Sequence, residues 1–376
     1  MYFVTTFMPS IILIEPKLQH LEVLYPQILF LLESDYSVTV ATCEKARNVD
    51  ILKSLEKKVT FIVRKKNEPL FLFLFRISRK KYDLTIFNTL EGSTVQYSYL
   101  LFFRKLQVVR VVHNLPPDQP KYLLSSKIQS RVEKSVNGSV FLNKQLADLS
   151  KISPDSNSGC FYPVFFDDFL KSRNIKPENS GCTSVLKLGV QGNVEELRRN
   201  YTGLIKSVSR LPEKQKQKIQ VHIIGNSSNQ FGSFLKDNVE KNGLSEIFHF
   251  YDEYLSFENF FRILSNMHFL LPLIDKTLPI FSRYEGKKIT STTSMALAVK
   301  KPLLVSSDLP VEKNITPIAL FYPGPNLETG IMDALRLTDT EYAKLVSNID
   351  NLDEISFRCQ HDSYMKIIKK AIIRNK

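Results

Sequence analysis

Ser184-Val-Leu-Lys-Leu-Gly-Val-Gln-Gly192, followed by Asn193 and then by Arg198-Arg-Asn-Tyr201, is the stretch that decides the fold. Its first residues form a short aliphatic run ending on glycine, the pattern of a buried parallel strand. Glycine at a strand end lets the backbone turn tightly and approach a ligand closely. The helix expected from about Glu195 to Leu211 then offers free N–H groups and the positive end of its dipole. Arg198 and Arg199, one turn into that helix, add bidentate phosphate contacts. The same residues also fit an ordinary strand-to-helix turn with two surface arginines.

The alternation extends in both directions. Toward the C-terminus, strands are expected at Ile219–Ile224 (closing on Gly225-Asn226), Ile247–Tyr251, Phe269–Ile274 and Leu303–Ser306, with helices at Phe231–Asn242, Phe257–Met267 and Thr292–Val299. Toward the N-terminus, strands are expected at Ile11–Ile14, Ser37–Ala41, Val59–Val63, Leu84–Phe87, Val108–Val112, Ser139–Leu142 and Phe161–Val164, with helices over His20–Leu32 and Thr94–Leu106. Strand, helix, strand, helix implies parallel sheets covered on both faces. The chain thus reads as α/β, two doubly wound Rossmann-like domains facing a cleft: residues 1–166, a linker at 167–183 where Lys, Asn, Pro, Ser and Gly collect, and residues 184–340. Residues 341–376 are expected to be largely helical and to pack back on the first domain.

Composition bounds the function. At 376 residues, two domains are expected, and 43% hydrophobic with 24% charged residues is globular. A formal charge of +13, from 51 Lys and Arg against 38 Asp and Glu, favours anionic partners without choosing among nucleic acid, a membrane face and phosphorylated small molecules. Cys43, Cys160, Cys182 and Cys359 are scattered, which argues against a zinc site or a disulfide framework and for a reducing compartment. The opening MYFVTTFMPSIILIEP lacks a basic n-region, and no apolar run reaches transmembrane length. A cytoplasmic protein is expected, with a peripheral place on the inner membrane face as a further option. Arg64-Lys-Lys66 and Arg79-Lys-Lys81 flank the apolar run Leu70–Phe75, and the C-terminus carries Lys366, Lys369, Lys370, Arg374 and Lys376. The run fits either a buried core element or a contact with an anionic membrane surface.

Candidate site residues fall at strand ends. Gly192, Asn193, Arg198 and Arg199 form the first group, and Gly225 and Asn226 close the next strand. The hydroxyl-rich stretch Thr290-Ser-Thr-Thr-Ser294 brackets a helix start beside Lys287 and Lys288, so Lys288, Thr290, Ser291 and Thr292 suit a phosphate as well as a cap. Tyr251 and Glu253, in Phe248-His-Phe-Tyr-Asp-Glu-Tyr254, suit a nucleobase or ribose. In the first half, Glu15, His20, Glu91 and His113 follow strands directly and are the candidates to take a proton from a hydroxyl. Phosphate-loop, GxSxG, HExxH and GxGxxG motifs are missing, against an NTPase, a serine hydrolase, a zincin and a typical dehydrogenase.

Taken in order and spacing, residues 184–307 resemble the retaining, nucleotide-sugar-dependent group 1 of the GT-B glycosyltransferases, as a divergent branch. The resemblance rests on the Gly192 turn before Arg198-Arg-Asn-Tyr201, the strand ends at Gly225-Asn226 and Tyr251, and the small-residue helix leading to Lys301-Pro-Leu-Leu-Val305. Met295 and Lys287 stand where the family pattern places two glutamates, and hydroxyl residues Thr290–Ser294 occupy the helix start instead. What the resemblance implies is a hexosyltransferase-type enzyme moving a sugar from a UDP- or GDP-sugar to a glycan or lipid-linked acceptor in surface polysaccharide biosynthesis. It further implies no required metal or cofactor, Arg199 or Lys288 at the diphosphate, and His20 and His113 on the acceptor side. Two rivals stay open: a nucleotide-sugar epimerase of the same fold, and a basic nucleic-acid-binding protein, although no nucleic-acid module is recognisable.

Overall fold

The computed structural model describes residues 8–90, 94–102, 106–115, 131, 135–150, 156–176, 185–285 and 288–373. The chain divides into two units, Met1–Phe165 with Glu354–Lys376, and Phe166–Asp353.

In the first unit, strands β1 (Ser10–Glu15), β2 (Ser37–Cys43), β3 (Thr60–Arg64), β4 (Leu84–Phe87), β5 (Val108–Val112), β6 (Gly138–Phe141) and β7 (Ser158–Cys160) form a parallel sheet ordered β3-β2-β1-β4-β5-β6-β7. The unbroken run Ile11-Ile-Leu-Ile14 is wholly buried, because both faces of a parallel sheet are covered. The chain steps outward from β1 to β3, then returns to β4 and moves the other way, so the ends of β1 and β4 flank the switch point where open sheets bind ligands. Right-handed crossovers in opposite directions place the helices Leu21–Glu33 and Leu70–Ser78 on opposite faces.

The C-terminal helix Phe357–Ile373 covers the part of the sheet near β6 and β7, beside the helix Leu21–Glu33. Gly138 and Gly159 make room for it, since a Cβ on either would sit 3.0 Å from Ile367. Phe30, Phe161 and Tyr364 pack there edge to face or tilted, at ring separations of 5.4–5.9 Å. Burying each such ring contributes roughly 1.5–3 kcal/mol. The strand expected at Phe161–Val164 lies three residues earlier, at Ser158–Cys160. Beyond it the Tyr162 N–H goes to Gln360 Oε1 at 2.9 Å rather than to a ladder, and Pro163 has no N–H to give.

In the second unit, β8 (Leu186–Gln191), β9 (Ile219–Asn226), β10 (Phe248–Tyr251), β11 (Phe269–Leu270), β12 (Leu303–Ser306) and β13 (Ala319–Tyr322) are parallel and ordered β10-β9-β8-β11-β12-β13. The switch point here lies between β8 and β11. Three expectations need correction. The helix after Gly192 spans Tyr201–Ser209, so Arg198 and Arg199 stand in the turn before it. Asn200 stops it from starting earlier: its N–H bonds Leu273 O (2.8 Å) and its side chain caps Gly203 N (2.8 Å). The strand expected at Phe269–Ile274 keeps only two residues, because Pro272 interrupts the ladder and Leu273 turns to φ 52°. Strand β13 was not expected at all. Asp167–Ser172, at the start of the polar stretch between the halves, is a helix whose Phe169 packs on Phe261, and residues 177–183 lie outside the described residues.

Candidate functional site

The turns after β8 and β9 of the second unit meet backbone to backbone. A Cβ on Gly225 would lie 2.0 Å from the Gly192 carbonyl oxygen, so only glycine fits. Gly192 itself has φ +108°, a region L side chains avoid, and the Arg199 guanidinium lies 2.8 Å from where its Cβ would be. Arg199 is 8% exposed, and its Nε has no hydrogen-bond partner among the described residues.

Three more cations, Arg198, Arg283 and Lys288, share the field of Arg199. Burial, then the charges of Arg198, Arg283 and Arg199, hold the Lys288 ammonium below the usual lysine range. The Lys288 Nζ lies 5.3 Å over the Tyr284 ring. Burial raises the Tyr284 phenol, although Arg199, Arg198 and Arg283 pull the other way. The nearby carboxylate, Glu195, is engaged by Arg198 Nε (2.6 Å) and Asn193 Nδ2 (3.1 Å). Gln191, at the end of β8, donates to Ser291 Oγ (2.9 Å) and Thr292 Oγ1 (3.2 Å), which ties the N-terminus of the helix Ser291–Ala298 to the turn. Thr290 caps that helix by accepting from the Thr292 N–H (3.3 Å). The arrangement is a basic, hydroxyl-lined cradle with a helix start at its edge, which is what an anion with several oxygens requires.

Tyr251 closes β10. Its hydroxyl bonds His222 Nδ1 (3.1 Å), and His222 stacks on His249 at 4.6 Å. Burial, His249 and Lys187 depress His222 to about 4. Asn226 turns its Oδ1 back onto the Ser228 N–H (2.9 Å), and Glu253 is exposed.

In the first unit, Glu15, His20 and His113 come together at the ends of β1, β4 and β5. Glu15 is buried and accepts from Thr89 Oγ1 (2.6 Å), Asn88 Nδ2 (2.9 Å) and the Lys17 N–H (3.3 Å); burial nonetheless raises its pKa. Asn88 also donates to His20 O (3.1 Å) and accepts from Gln27 Nε2 (2.7 Å), and Tyr364 OH supports Gln27 (3.1 Å). His113 Nε2 lies 2.6 Å from Asn88 O, so that nitrogen carries the proton and donates it. Burial, then His20, depress His113 to about 4, which keeps it neutral. His20 sits at φ 52°, its ring 4.1 Å from that of His113 and its Nδ1 3.5 Å from Glu22. Burial raises the Glu22 pKa, but the hydrogen bond and charge of His20 outweigh it and leave the carboxyl lowered. Glu91 lies outside the described residues.

The structure thus groups Gly192, Arg198, Arg199, Gly225 and Lys288 with Thr290–Thr292, and groups Glu15, His20 and His113. Asn88, Thr89 and Arg283 were missed, and Gln191 and Tyr284, inside stretches that were read, had been given no role. Arg283 lies only a few residues before Lys287 and Lys288, so its charge was available as a signal. Among the described residues no cluster of three or more His, Cys, Asp or Glu side chains could hold a metal ion, and no helix is long and apolar enough to cross a membrane.

No protein-family model and no curated protein matches the chain. Solved structures do. A glycosyltransferase from Rickettsia africae aligns over 98% of this chain and 100% of its own at a TM-score of 0.66 and 13% identity. Anabaena HepE, in complex with UDP, aligns over 96% and 100% at 0.66 and 13%. A UDP-N-acetylglucosamine 2-epimerase aligns over 98% and 96% at 0.61 and 14%. The likeness is one of fold, and the two parallel-sheet α/β units of this chain are those of the GT-B fold.

Proposed function

We propose that the chain is an enzyme that transfers a sugar from a nucleotide-diphosphate sugar, UDP- or GDP-linked, to a hydroxyl of a glycan or lipid-linked acceptor, in the building of a surface polysaccharide. One observation carries this reading: Arg199 packs on the Gly192 turn, and Arg198, Arg283 and Arg199 lie near enough to Lys288 to depress its buried ammonium, with Glu195 paired to Arg198. Cations held together against their mutual repulsion match a diphosphate. The HepE structure carries UDP on the same fold, which supports the choice of ligand.

In the transfer, the bond between the anomeric carbon and the diphosphate oxygen breaks, and its electron pair leaves with the diphosphate. The cradle stabilises that charge as it develops. The acceptor oxygen bonds the anomeric carbon, and its proton goes to His20, the half-exposed member of the first-unit cluster. Glu15 and His113, both buried, position it through Asn88. Tyr251 and Glu253, at the end of β10, meet the nucleoside.

Thermal shift with UDP-, GDP- and ADP-sugars tests the donor assignment. A UDP- or GDP-sugar is expected to raise the melting temperature, and no shift with any sugar nucleotide would overturn it. The epimerase of the same fold supports a second reading, epimerisation of the donor sugar. Conversion of the donor without any acceptor separates the two.

A further inference from the structure

The helix Leu70–Ser78 is apolar on both faces. Phe73, Leu74 and Ile77 are buried in the core cluster that holds Ile62, Tyr99 and Leu100. At about 100° per residue, Phe71, Leu72 and Phe75 fall on the opposite side, and they are 42%, 53% and 39% exposed. A helix that is apolar all round is ordinarily covered all round. Basic side chains surround this outer ridge: Arg64–Lys81 holds seven Lys and Arg against one carboxylate, Glu68, which Arg76 engages at 2.8 Å. Lys65, Lys66, Arg79, Lys80 and Lys81 are exposed, and the Arg79 guanidinium lies 5.6 Å over the Phe75 ring.

We propose that this ridge docks the chain on an anionic lipid bilayer, with Phe71, Leu72 and Phe75 entering the headgroup–acyl boundary and Lys65, Lys66, Lys80 and Lys81 facing lipid phosphates. Charge selects this occupant. A second copy of the chain would bring two sets of cations together, whereas an anionic lipid sheet meets the apolar ridge and the charged rim at once. The exposed Lys366, Lys369 and Lys370 belong to the C-terminal helix, which shares a face with the helix Leu21–Glu33, the face opposite Leu70–Ser78; they take no part. The docking is independent of sugar transfer.

The chain has no tryptophan, so Leu72→Trp gives a single reporter on the ridge. Its emission is expected to shift to the blue with vesicles of phosphatidylcholine and phosphatidylglycerol and to stay unchanged with phosphatidylcholine alone. In sedimentation of the full chain, the mixed vesicles should bind at least about ten-fold tighter than neutral ones, less so at high salt. The triple variant Phe71→Ser, Leu72→Ser, Phe75→Ser should lose that margin, and Lys366→Glu with Lys369→Glu and Lys370→Glu should keep it. Equal binding to both vesicles overturns the proposal. So does retained binding in the triple-serine variant, an unmoved tryptophan in the bound state, or self-association through the ridge without lipid binding.

Discussion

The clusters at the two switch points are built on opposite electrostatic plans. In the first unit, Glu15 is enclosed by three donors, Asn88 is fixed by Glu15, His20 and Gln27, and His113 gives its proton to a backbone oxygen. In the second, the buried Arg199 has an Nε without a partner among the described residues, while Arg198, Arg283 and Arg199 all act on the charge of Lys288. A network satisfied by its own members holds groups still, which suits proton handling. A cluster in which like charge exceeds its counter-charge favours whatever anion neutralises the excess, which suits donor binding.

The largest effect comes from breaking the cradle's backbone. Gly225→Ala drives a methyl into the Gly192 carbonyl oxygen, 2.0 Å away, and two backbones have no rotamer with which to yield. A loss above about 4 kcal/mol is expected, read as a lower denaturation midpoint, with donor-induced stabilisation abolished. A Gly225→Ala protein that melts normally and binds donor would remove the close approach from the account.

His20→Gln should come next. Turnover is expected to fall by about 10²–10⁴ with donor affinity unchanged, since the substitution removes a proton acceptor from the first unit and leaves every residue of the cradle in place. Equal losses in turnover and donor affinity would assign His20 to binding.

Arg199→Met separates the two plans most directly. It deletes an under-satisfied buried cation, so the free protein should melt at or above the wild-type temperature. Donor affinity should drop by about 10- to 100-fold, the equivalent of roughly 1.5–3 kcal/mol for a charged hydrogen bond. Stability and binding moving together would mean that Arg199 is a structural residue. The matching change in the first unit, Asn88→Leu, should cost stability, because it strands Glu15 and Gln27.

How far each region could be read beforehand follows the same division. The sheets were legible because strands covered on both faces are continuous apolar runs, Ile11–Ile14 and Leu303–Ser306 among them. Ala319–Tyr322 escaped because its strand is short and follows at once on the 3₁₀ turn Thr316–Ile318, which holds Pro317. The hydroxyl stretch Thr290–Ser294 was visible as a local cap, and Thr290 does cap. The helix start at Tyr201 was not, because Asn200 is held by Leu273, whose place beside it depends on the sheet order. The Glu15 network joins side chains 73 and 74 positions apart, and no spacing rule along the chain reports such a meeting.

The smallest effect lies in acid, where the two units should behave alike despite their different plans. His113 and His222 are each depressed from 6.5 to about 4, chiefly by burial. Below pH 6.5 the unfolded chain takes up a proton at these positions and the folded chain does not, so stability present at neutral pH is lost as pH falls toward 4. For one such histidine the loss is about 1.4 kcal/mol at pH 5.5. His113→Gln keeps a donor for Asn88 O and should flatten the acid limb of the first unit's unfolding, while His222→Gln should flatten that of the second. Guanidinium titrations at pH 7.5 and 5.5 read the difference. An acid limb unchanged in His113→Gln would show that the ring is protonated in the folded state, and Asn88 would then be held by a charged histidine instead of a neutral one.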